Sequence, residues 1–184
     1  MNIIDKKKAL RREMIFLRNQ MILSQKNIWD HQICKELLQI IKTRNFAHVH
    51  CYLPMESEVD ITPLIAQLLA NDISVITPKT LPERKLEHRI LISLSNVEKG
   101  VFGTSHPANS EIYSGNFDLI IVPGLAFSKE YYRLGYGGGY YDTFLSKNAK
   151  AYKLGICYPF QIVDELPIEE HDQQLDGVLY PNKI

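Results

Sequence analysis

Apolar side chains recur at helical spacing near the start of the chain. In residues 5–21 the repeating apolar positions are Leu10, Met14, Leu17 and Met21. This spacing predicts an amphipathic helix with those side chains on its buried face. A second helix is predicted after Ser24, a favourable N-cap, with Ile33 and Leu37 on one side.

Short apolar runs follow the two helices, and prolines such as Pro78 are expected to end them. Strands are predicted at residues 46–53, 73–77, 86–94, 118–122 and 151–157. Thr62 and Pro63 predict an N-cap and a first helical residue, and residues 140–147 predict a short helix. Residues 97–115 predict either a functional loop or an element that the pattern does not reveal. The alternation of short strands with helices predicts an α/β domain with a largely parallel sheet. Ligands of such sheets lie beyond the carboxyl ends of the strands.

The charge balance limits the partners of the chain. Its 184 residues include 21 Lys and Arg and 21 Asp and Glu, so no net field favours nucleic acid or an anionic membrane. No apolar run approaches the roughly 20 residues that span a bilayer, and Cys34, Cys51 and Cys157 are widely spaced, which predicts reduced packing residues. We therefore expect a single domain over residues 1–184, a cytoplasmic monomer that acts on small molecules.

A glycine-rich run at residues 133–142 is the most informative motif. Four of the chain's ten glycines fall within residues 135–139, between Arg133 and Asp142. A strand, a glycine-rich turn and a helix together predict a phosphate cradle, because glycines let backbone N–H groups approach oxyanions closely. A flexible surface loop is the alternative, but the interleaved tyrosines and the flanking charges favour a functional loop.

The run matches neither common nucleotide-binding fingerprint. Tyr140 stands where a dinucleotide motif needs its third glycine, and the chain has no Gly-Lys-Ser/Thr of a P-loop. Arg133 is expected on the loop, outside the core, with its charge available for phosphate. Asp142 is either a first-turn carboxylate or a magnesium ligand.

Several charged residues outside the run have both a structural and a functional interpretation. Lys7 and Arg11 share a helix face, which is either solvated, clamps a polyphosphate or contacts RNA. Asp172 lies in an acidic segment that is either a solvated turn or a second metal site. Glu58 fits a polar turn, but a carboxylate after a strand can also bind the N–H groups of a heterocycle. His48 and His50 of the first strand are expected to be packed or surface residues rather than a metal site.

The run and several shorter markers resemble the 5-formyltetrahydrofolate cyclo-ligase family. The matching segments are VPGLAF at 122–127, RLGYGGGYYD at 133–142, KxxLRxEM at 7–14, YLP at 52–54, EVD at 58–60 and DxxxD at 172–176. The resemblance spans nearly the whole chain, and its glycine signature is specific. The sequence departs from the pattern at residues 128–132, where the family usually has an aspartate and a glycine, and at Thr143 and His106.

The resemblance implies a three-layer α/β/α Rossmann-like fold and a set of site residues. The implied ATP-binding residues are Lys7, Lys8, Ala9, Leu10, Arg11, Arg133, Leu134, Gly135, Tyr136, Gly137, Gly138, Gly139, Tyr140 and Tyr141. Leu53 and Glu58 would line the folate site, and Asp142 and Asp172 would bind Mg²⁺. Arg133 and Lys7 would act in catalysis by neutralising phosphate charge.

The implied activity is the ATP- and Mg²⁺-dependent cyclisation of 5-formyltetrahydrofolate to 5,10-methenyltetrahydrofolate, through a phosphorylated formyl group, with release of ADP and phosphate. Such chemistry requires positioning and charge neutralisation rather than a protein nucleophile. Two other hypotheses remain at this stage: a nucleotide- or sugar-phosphate-binding relative without this activity, and a noncatalytic RNA-binding module that uses the basic N-terminal helix.

Overall fold

The fold consists of four α-helices and eleven short strands in a computed structural model that describes residues 2–55 and 57–181. The helices are α1 (Ile3–Asn19), α2 (Leu23–Thr43), α3 (Thr62–Leu69) and α4 (Tyr140–Ser146). The strands are β1 (His48–His50), β2 (Ser74–Leu81), β3 (Lys85–Leu91), β4 (Val97–Lys99), β5 (Ser105–Pro107), β6 (Leu119–Val122), β7 (Ala126–Ser128), β8 (Arg133–Leu134), β9 (Tyr152–Ile156), β10 (Ile162–Val163) and β11 (Gly177–Leu179). No helix among these residues has the length and hydropathy needed to cross a membrane.

A six-stranded central sheet has the order β11-β9-β6-β1-β2-β3. Every neighbouring pair is parallel except β2 with β3, which pair antiparallel at one edge. The chain therefore starts in the middle of the sheet at β1, builds β2 and β3 on one side, and returns to build β6 and β9 on the other. The predicted mainly parallel sheet is confirmed.

Alternate residues of the central strands pack on opposite faces of the sheet. Val49, Leu119 and Leu154 face the cluster formed with α2 and α3, whereas Ile120 and Val122 face Phe144 of α4 on the other side. Because side chains alternate along a strand, a fully apolar strand such as β6 can supply both cores. The helices on the two faces give the three-layer α/β/α arrangement that the resemblance implies.

The inward face of α1 differs from the one predicted. Lys7, Met14 and Arg18 are the buried residues of this helix, while Leu17 is 36% exposed. The predicted apolar face was wrong at Leu17, because the helix packs the side that carries Met14 against β7 and β8. The basic residues Lys7 and Arg18 lie on that same side and are therefore buried. The α1 face that suggested an RNA contact is therefore turned into the protein at Lys7.

Three local predictions need correction. Ser24 lies inside α2, whose N-cap is Ile22, and Thr62 is the first residue of α3, where its N–H donates to Asp60 Oδ1 at 2.9 Å. Strand β2 continues through Pro78 because it extends beyond its pairing with β1, and a strand edge tolerates proline.

The loop-rich segment after β3 contains the element that the sequence pattern did not reveal. Its strands β4 and β5 pair antiparallel, with a short 3₁₀ turn between them. The pattern also missed β7, β8, β10 and β11. These strands have two or three residues each, too few to display a period of two, so tertiary pairing alone defines them.

A buried pair of histidines lies beneath α4. The rings of His50 and His88 are 5.1 Å apart and contact Phe144 at 4.6 and 4.4 Å between centroids. Neither ring nitrogen of His50 has a hydrogen-bond partner among the described residues. Burial lowers the pKa of His50 well below its ordinary value, and burial lowers that of His88 to about 4. Both rings are therefore neutral packing groups in the folded protein, as expected for the His50 strand position.

We expect the free energy of unfolding to decrease as the pH falls from 6.5, the ordinary histidine value, towards about 4. In that window the unfolded chain binds protons that the folded His88 does not, so acid favours unfolding. Urea denaturation at a series of pH values measures the slope of the free energy of unfolding against pH. His88→Gln should reduce it, whereas the exposed His31→Gln should not, and an equal slope in the His88 variant and the parent would contradict the assignment.

Candidate active site

The reversal of the chain between β1 and β6 creates a crevice at the carboxyl ends of these two strands. Adjacent parallel strands whose connections leave in opposite directions form the usual ligand crevice of such sheets. Residues 51–55 follow β1 at this point, and Pro123 and Gly124 follow β6. A narrow recess here is lined by Arg18, Tyr52, Glu58, Val59, Pro123, Gly124, Ile156 and Gln161.

Glu58 is the carboxylate of this recess, and it is 6% exposed. Its Oε2 accepts a hydrogen bond from Met55 N at 3.0 Å, and its Oε1 accepts one from the Tyr136 hydroxyl at 3.1 Å. Burial raises the pKa of Glu58, although the Met55 N–H, the Arg18 charge and Tyr136 oppose the rise. The site thus keeps a buried, hydrogen-bonded carboxyl group next to an apolar wall.

Tyr136 connects this recess to the glycine-rich loop, residues 135–139. Its ring is half exposed, whereas its hydroxyl lies between Arg18 and Glu58. Burial and the Glu58 charge raise the pKa of Tyr136 to about 12, so the hydroxyl remains a proton donor at neutral pH. Sequence reasoning assigned Tyr136 and Glu58 to different ligands; the structure brings them into direct contact.

The conformation of the loop requires glycine at two positions. Gly137 has φ +100° and Gly139 has φ +69°, values that side chains with a Cβ rarely adopt. The Arg11 guanidinium lies against Gly137, where an added Cβ would be 3.3 Å from Arg11 Cζ, and Arg11 Nε donates to the Gly135 carbonyl at 2.9 Å. A guanidinium on open glycine backbone is a suitable surface for anionic oxygens.

Arg133 is not on the loop, contrary to expectation. It belongs to β8, its side chain is 2% exposed, and its Nη1 donates to Asp142 Oδ1 at 2.8 Å. Its Nε has no hydrogen-bond partner among the described residues. The β7–β8 hairpin places Arg133 in this buried position. The ion pair with Asp142 compensates for the burial, because a buried guanidinium needs a carboxylate partner.

The unusual segment at residues 128–132 forms the turn of this hairpin. Tyr131 has φ +66°, the left-handed conformation that a glycine would adopt more easily. Backbone hydrogen bonds from Ser128 N to Tyr132 O at 2.9 Å and from Leu175 N to Tyr131 O at 3.0 Å hold the turn. The altered residues therefore still deliver Arg133 to the beginning of the glycine loop.

Lys7 is buried against the acidic segment near the C-terminus. Its Nζ lies 2.6 Å from Asp172 Oδ2 and 2.7 Å from Glu169 Oε2. Burial lowers the pKa of Lys7, but hydrogen bonds to Asp172 and Glu169 outweigh it and leave the pKa raised. The ammonium group is therefore fully charged at neutral pH, and α1 is joined to the segment that carries Asp172. The sequence named Asp172 as a magnesium ligand and did not predict that Asp172 and Glu169 both pair with Lys7.

The Asp142 carboxylate lies beside the peptide that follows Asp172. Gln173 N donates to Asp142 Oδ1 at 3.4 Å, and Gln173 follows Asp172 directly. No group of three or more Asp, Glu, His or Cys side chains in residues 2–55 and 57–181 could hold a metal ion. Two carboxylates still fit Mg²⁺, because this ion usually takes one or two of them together with substrate phosphates and water.

The remaining predicted residues divide into exposed and packed positions. Lys8 and Ala9 are exposed on α1, whereas Leu10 packs partly against the Met14 cluster. Leu134 is 2% exposed, so only its backbone is available to a ligand. Leu53 packs partly against the α2–α3 side of the core.

The tyrosines at the start of α4 are only partly buried. Tyr141 packs against the core near Phe144, and its ring also lies 5.9 Å from Arg133 Cζ. Tyr140 faces the exposed Phe102, with ring centroids 6.5 Å apart. These rings border the loop on its β4–β5 side.

Comparison with known proteins identifies the family. The model of the 5-formyltetrahydrofolate cyclo-ligase family matches residues 3–181. The chain belongs to this family. It is 28% identical to 5-formyltetrahydrofolate cyclo-ligase of Mus musculus over 180 residues, covering 89% of this chain and 83% of that one. The family assignment makes the chain an enzyme of this class.

Solved structures agree with the family assignment. The 5,10-methenyltetrahydrofolate synthetase of Aquifex aeolicus superposes with a TM-score of 0.81 at 30% identity, over 94% of this chain and 88% of that one. The 5,10-methenyltetrahydrofolate synthetase of Mycoplasma pneumoniae superposes with a TM-score of 0.78 at 25% identity, over 95% and 98%. The resemblance seen in the glycine signature therefore extends to the whole fold.

The buried Arg133–Asp142 pair should contribute to stability, which corrects the expectation that Arg133 lies outside the core. We expect a coupling energy of about 1–3 kcal/mol in a double-mutant cycle of Arg133→Met and Asp142→Asn, measured by urea denaturation without ligands. The exposed pair Lys129–Asp164 is the matched control and should couple weakly. Equal coupling in the two cycles would show that burial of Arg133 does not strengthen its ion pair.

Proposed function

We propose that this chain catalyses the ATP- and Mg²⁺-dependent cyclisation of 5-formyltetrahydrofolate to 5,10-methenyltetrahydrofolate, with release of ADP and phosphate. The observation that carries the proposal is the direct contact between the glycine loop and Glu58 through Tyr136. A phosphate-binding loop and a carboxylate able to bind a heterocycle thus share one crevice, as transfer between ATP and a folate requires.

ATP is proposed to bind along the glycine loop and the inward face of α1. Backbone N–H groups of residues 135–139 would contact the phosphates, and Arg11, Lys7 and Arg133 would neutralise their charge. Lys7 and Arg133 are paired with Asp172 and Asp142 in the structure. Binding of ATP with its metal therefore requires an exchange of partners, in which the cations turn to phosphate and the carboxylates to the metal.

Asp142 and Asp172 are the residues that would hold Mg²⁺. When bound, this ion would neutralise phosphate oxygens and help to orient the transferred group. The donor set fits, since both side chains offer carboxylate oxygens, Asp142 Oδ1 lies beside the peptide N–H that follows Asp172, and the two side chains are partly accessible, at 23% and 11%. The protein contributes the positions of these oxygens.

The folate is proposed to place its pterin at the mouth of the recess beyond β1, because the recess itself has a volume of only about 10 Å³. Glu58 would accept hydrogen bonds from pterin N–H groups, and Leu53 would pack against the ring. Both oxygens of Glu58 already accept hydrogen bonds from Met55 and Tyr136, so its orientation is fixed before the substrate arrives. Such preorganisation reduces the cost of ordering the site on binding.

The chemical step follows from the weak leaving tendency of an amide oxygen. The formyl oxygen attacks the γ-phosphorus, the bond from this phosphorus to the β,γ-bridging oxygen breaks, and ADP leaves. The N10 electron pair then attacks the activated carbon, the carbon–oxygen bond breaks with departure of phosphate, and N10 loses its proton. These steps require in-line positioning and neutralised charge, which fits the concentration of buried cations around the glycine loop.

The activity is tested by following the near-ultraviolet absorbance of the methenyl product from 5-formyltetrahydrofolate, ATP and Mg²⁺. We expect turnover that needs all three components and falls at least about a hundredfold in Asp142→Asn, because preorganised charge stabilisation contributes this much in other sites. Asp164→Asn, at an exposed position, is the matched control and should keep full activity. Absence of turnover in folded protein with ATP and metal in excess would refute the proposal.

Glu58→Gln tests the assignment of the recess to the folate. The amide keeps one acceptor oxygen and presents an N–H₂ group to either Tyr136 or Met55 N, both of which donate, so the position should lose one hydrogen bond and its charge. We expect the KM for 5-formyltetrahydrofolate to rise about tenfold or more, and the KM for ATP to rise less. Steady-state kinetics with each substrate varied separately measures both, with the exposed Glu36→Gln as control. A larger effect on ATP would remove Glu58 from the folate site.

A further inference from the structure

Arg18 is among the most buried charged residues that the structure describes, at 4% exposed, although neither ATP, metal nor folate is proposed to contact it. It lies in the last turn of α1, and all three nitrogens of its guanidinium group donate hydrogen bonds. Nε donates to Ser57 O at 2.7 Å, Nη2 to Ser57 Oγ at 2.9 Å, and Nη1 to the Tyr136 hydroxyl at 3.0 Å. It therefore contacts the segment that carries Glu58 and the glycine loop at the same time.

The chemistry of the donors fixes the direction of this hydrogen-bond chain. A guanidinium group can only donate, so Tyr136 accepts from Arg18 with a lone pair and has its single proton left for Glu58. Glu58 Oε1 must then accept, and Oε2 already accepts from Met55 N. With both oxygens accepting, the arrangement suits a carboxylate and disfavours a carboxylic acid.

We propose that Arg18 is a positioning residue that acts through Tyr136 to hold Glu58 as an oriented, hydrogen-bond-accepting carboxylate, and so joins the folate recess to the glycine loop. The part concerning folate rests on the proposed function. The effect on Glu58 itself does not, because it depends only on contacts within the protein.

Arg18 is also the charge that counters the burial of Glu58. The titratable groups that face the Glu58 carboxyl or its backbone are Arg18 from α1, Tyr136 from the glycine loop, Tyr52 after β1, Tyr141 from α4 and Tyr158 after β9. Of these described groups only Arg18 is a cation. Removing it leaves burial opposed by hydrogen bonds alone, so the pKa of Glu58 should rise further above its ordinary value.

Arg18→Met and Arg18→Lys test the proposal in the cyclisation assay. For Arg18→Met we expect the KM for 5-formyltetrahydrofolate to rise about tenfold, with a smaller change for ATP. The acid limb of kcat/KM for the folate should move to higher pH. Arg18→Lys keeps the charge and should keep the acid limb near that of the parent protein. Arg12→Met, at an exposed position on the same helix, should change neither quantity.

A folded Arg18→Met variant with the parent's folate KM and pH profile would overturn the proposal. If that variant does not fold, Tyr136→Phe removes only the connecting hydroxyl from a half-exposed loop residue. It should move the acid limb in the same direction, and an unchanged profile would be equally decisive against the proposal.

A titration without substrate separates this proposal from the proposed function. Carbon-13 NMR of glutamate-labelled protein, with the Glu58 signal assigned from Glu58→Gln, should give a higher pKa for Glu58 in Arg18→Met than in the parent. If the parent lacks cyclisation activity, the proposed function fails, and this titration still decides the role of Arg18. An equal pKa in both proteins would refute that role.

Discussion

Burial of positive charge is the constraint on which the rest of this site depends. Lys7, Arg18 and Arg133 are 6%, 4% and 5% exposed, and a buried cation without a partner would be strongly destabilising. Each one is therefore matched: Lys7 by two carboxylates, Arg133 by Asp142, and Arg18 by oxygens of Ser57 and Tyr136. These partners lie on segments far apart in sequence, so charge pairing organises the loops around the crevice.

The same pairing makes a site proposed for highly charged ligands compatible with a chain that has no net charge. The cations and carboxylates neutralise each other, and in the proposed complex phosphate oxygens and a metal ion would replace both sets of partners together. Phosphate alone would leave Asp142 and Asp172 without their cations, and metal alone would bring like charge next to Lys7 and Arg133. The arrangement would therefore favour joint binding of the proposed nucleotide and metal over either one separately.

The sequence predicted the sheet, the helices on its faces and the glycine loop, because apolar runs, helical periodicity and glycines each leave a local signal. It misplaced Arg133, since a strand of two residues has no periodicity and the burial of this side chain depends on tertiary contacts with residues of α4. It missed Arg18 for a related reason. Lys7, Arg11, Met14 and Arg18 recur at intervals of three and four, but a partly basic stripe was interpreted as solvated while the apolar positions were taken as the buried face.

The contacts of α1 connect the regions proposed to bind ATP and folate. This helix contacts the acidic segment with Lys7, the glycine loop with Arg11, and the loop after β1 with Arg18, at Ser57. A helix moves as a nearly rigid unit, so a change of partner at Lys7 would shift the same body that holds Tyr136 and, through it, Glu58. The chain reversal at β1 and β6 thus brings together the two regions proposed to bind ligands, and in the proposed complex α1 would connect them.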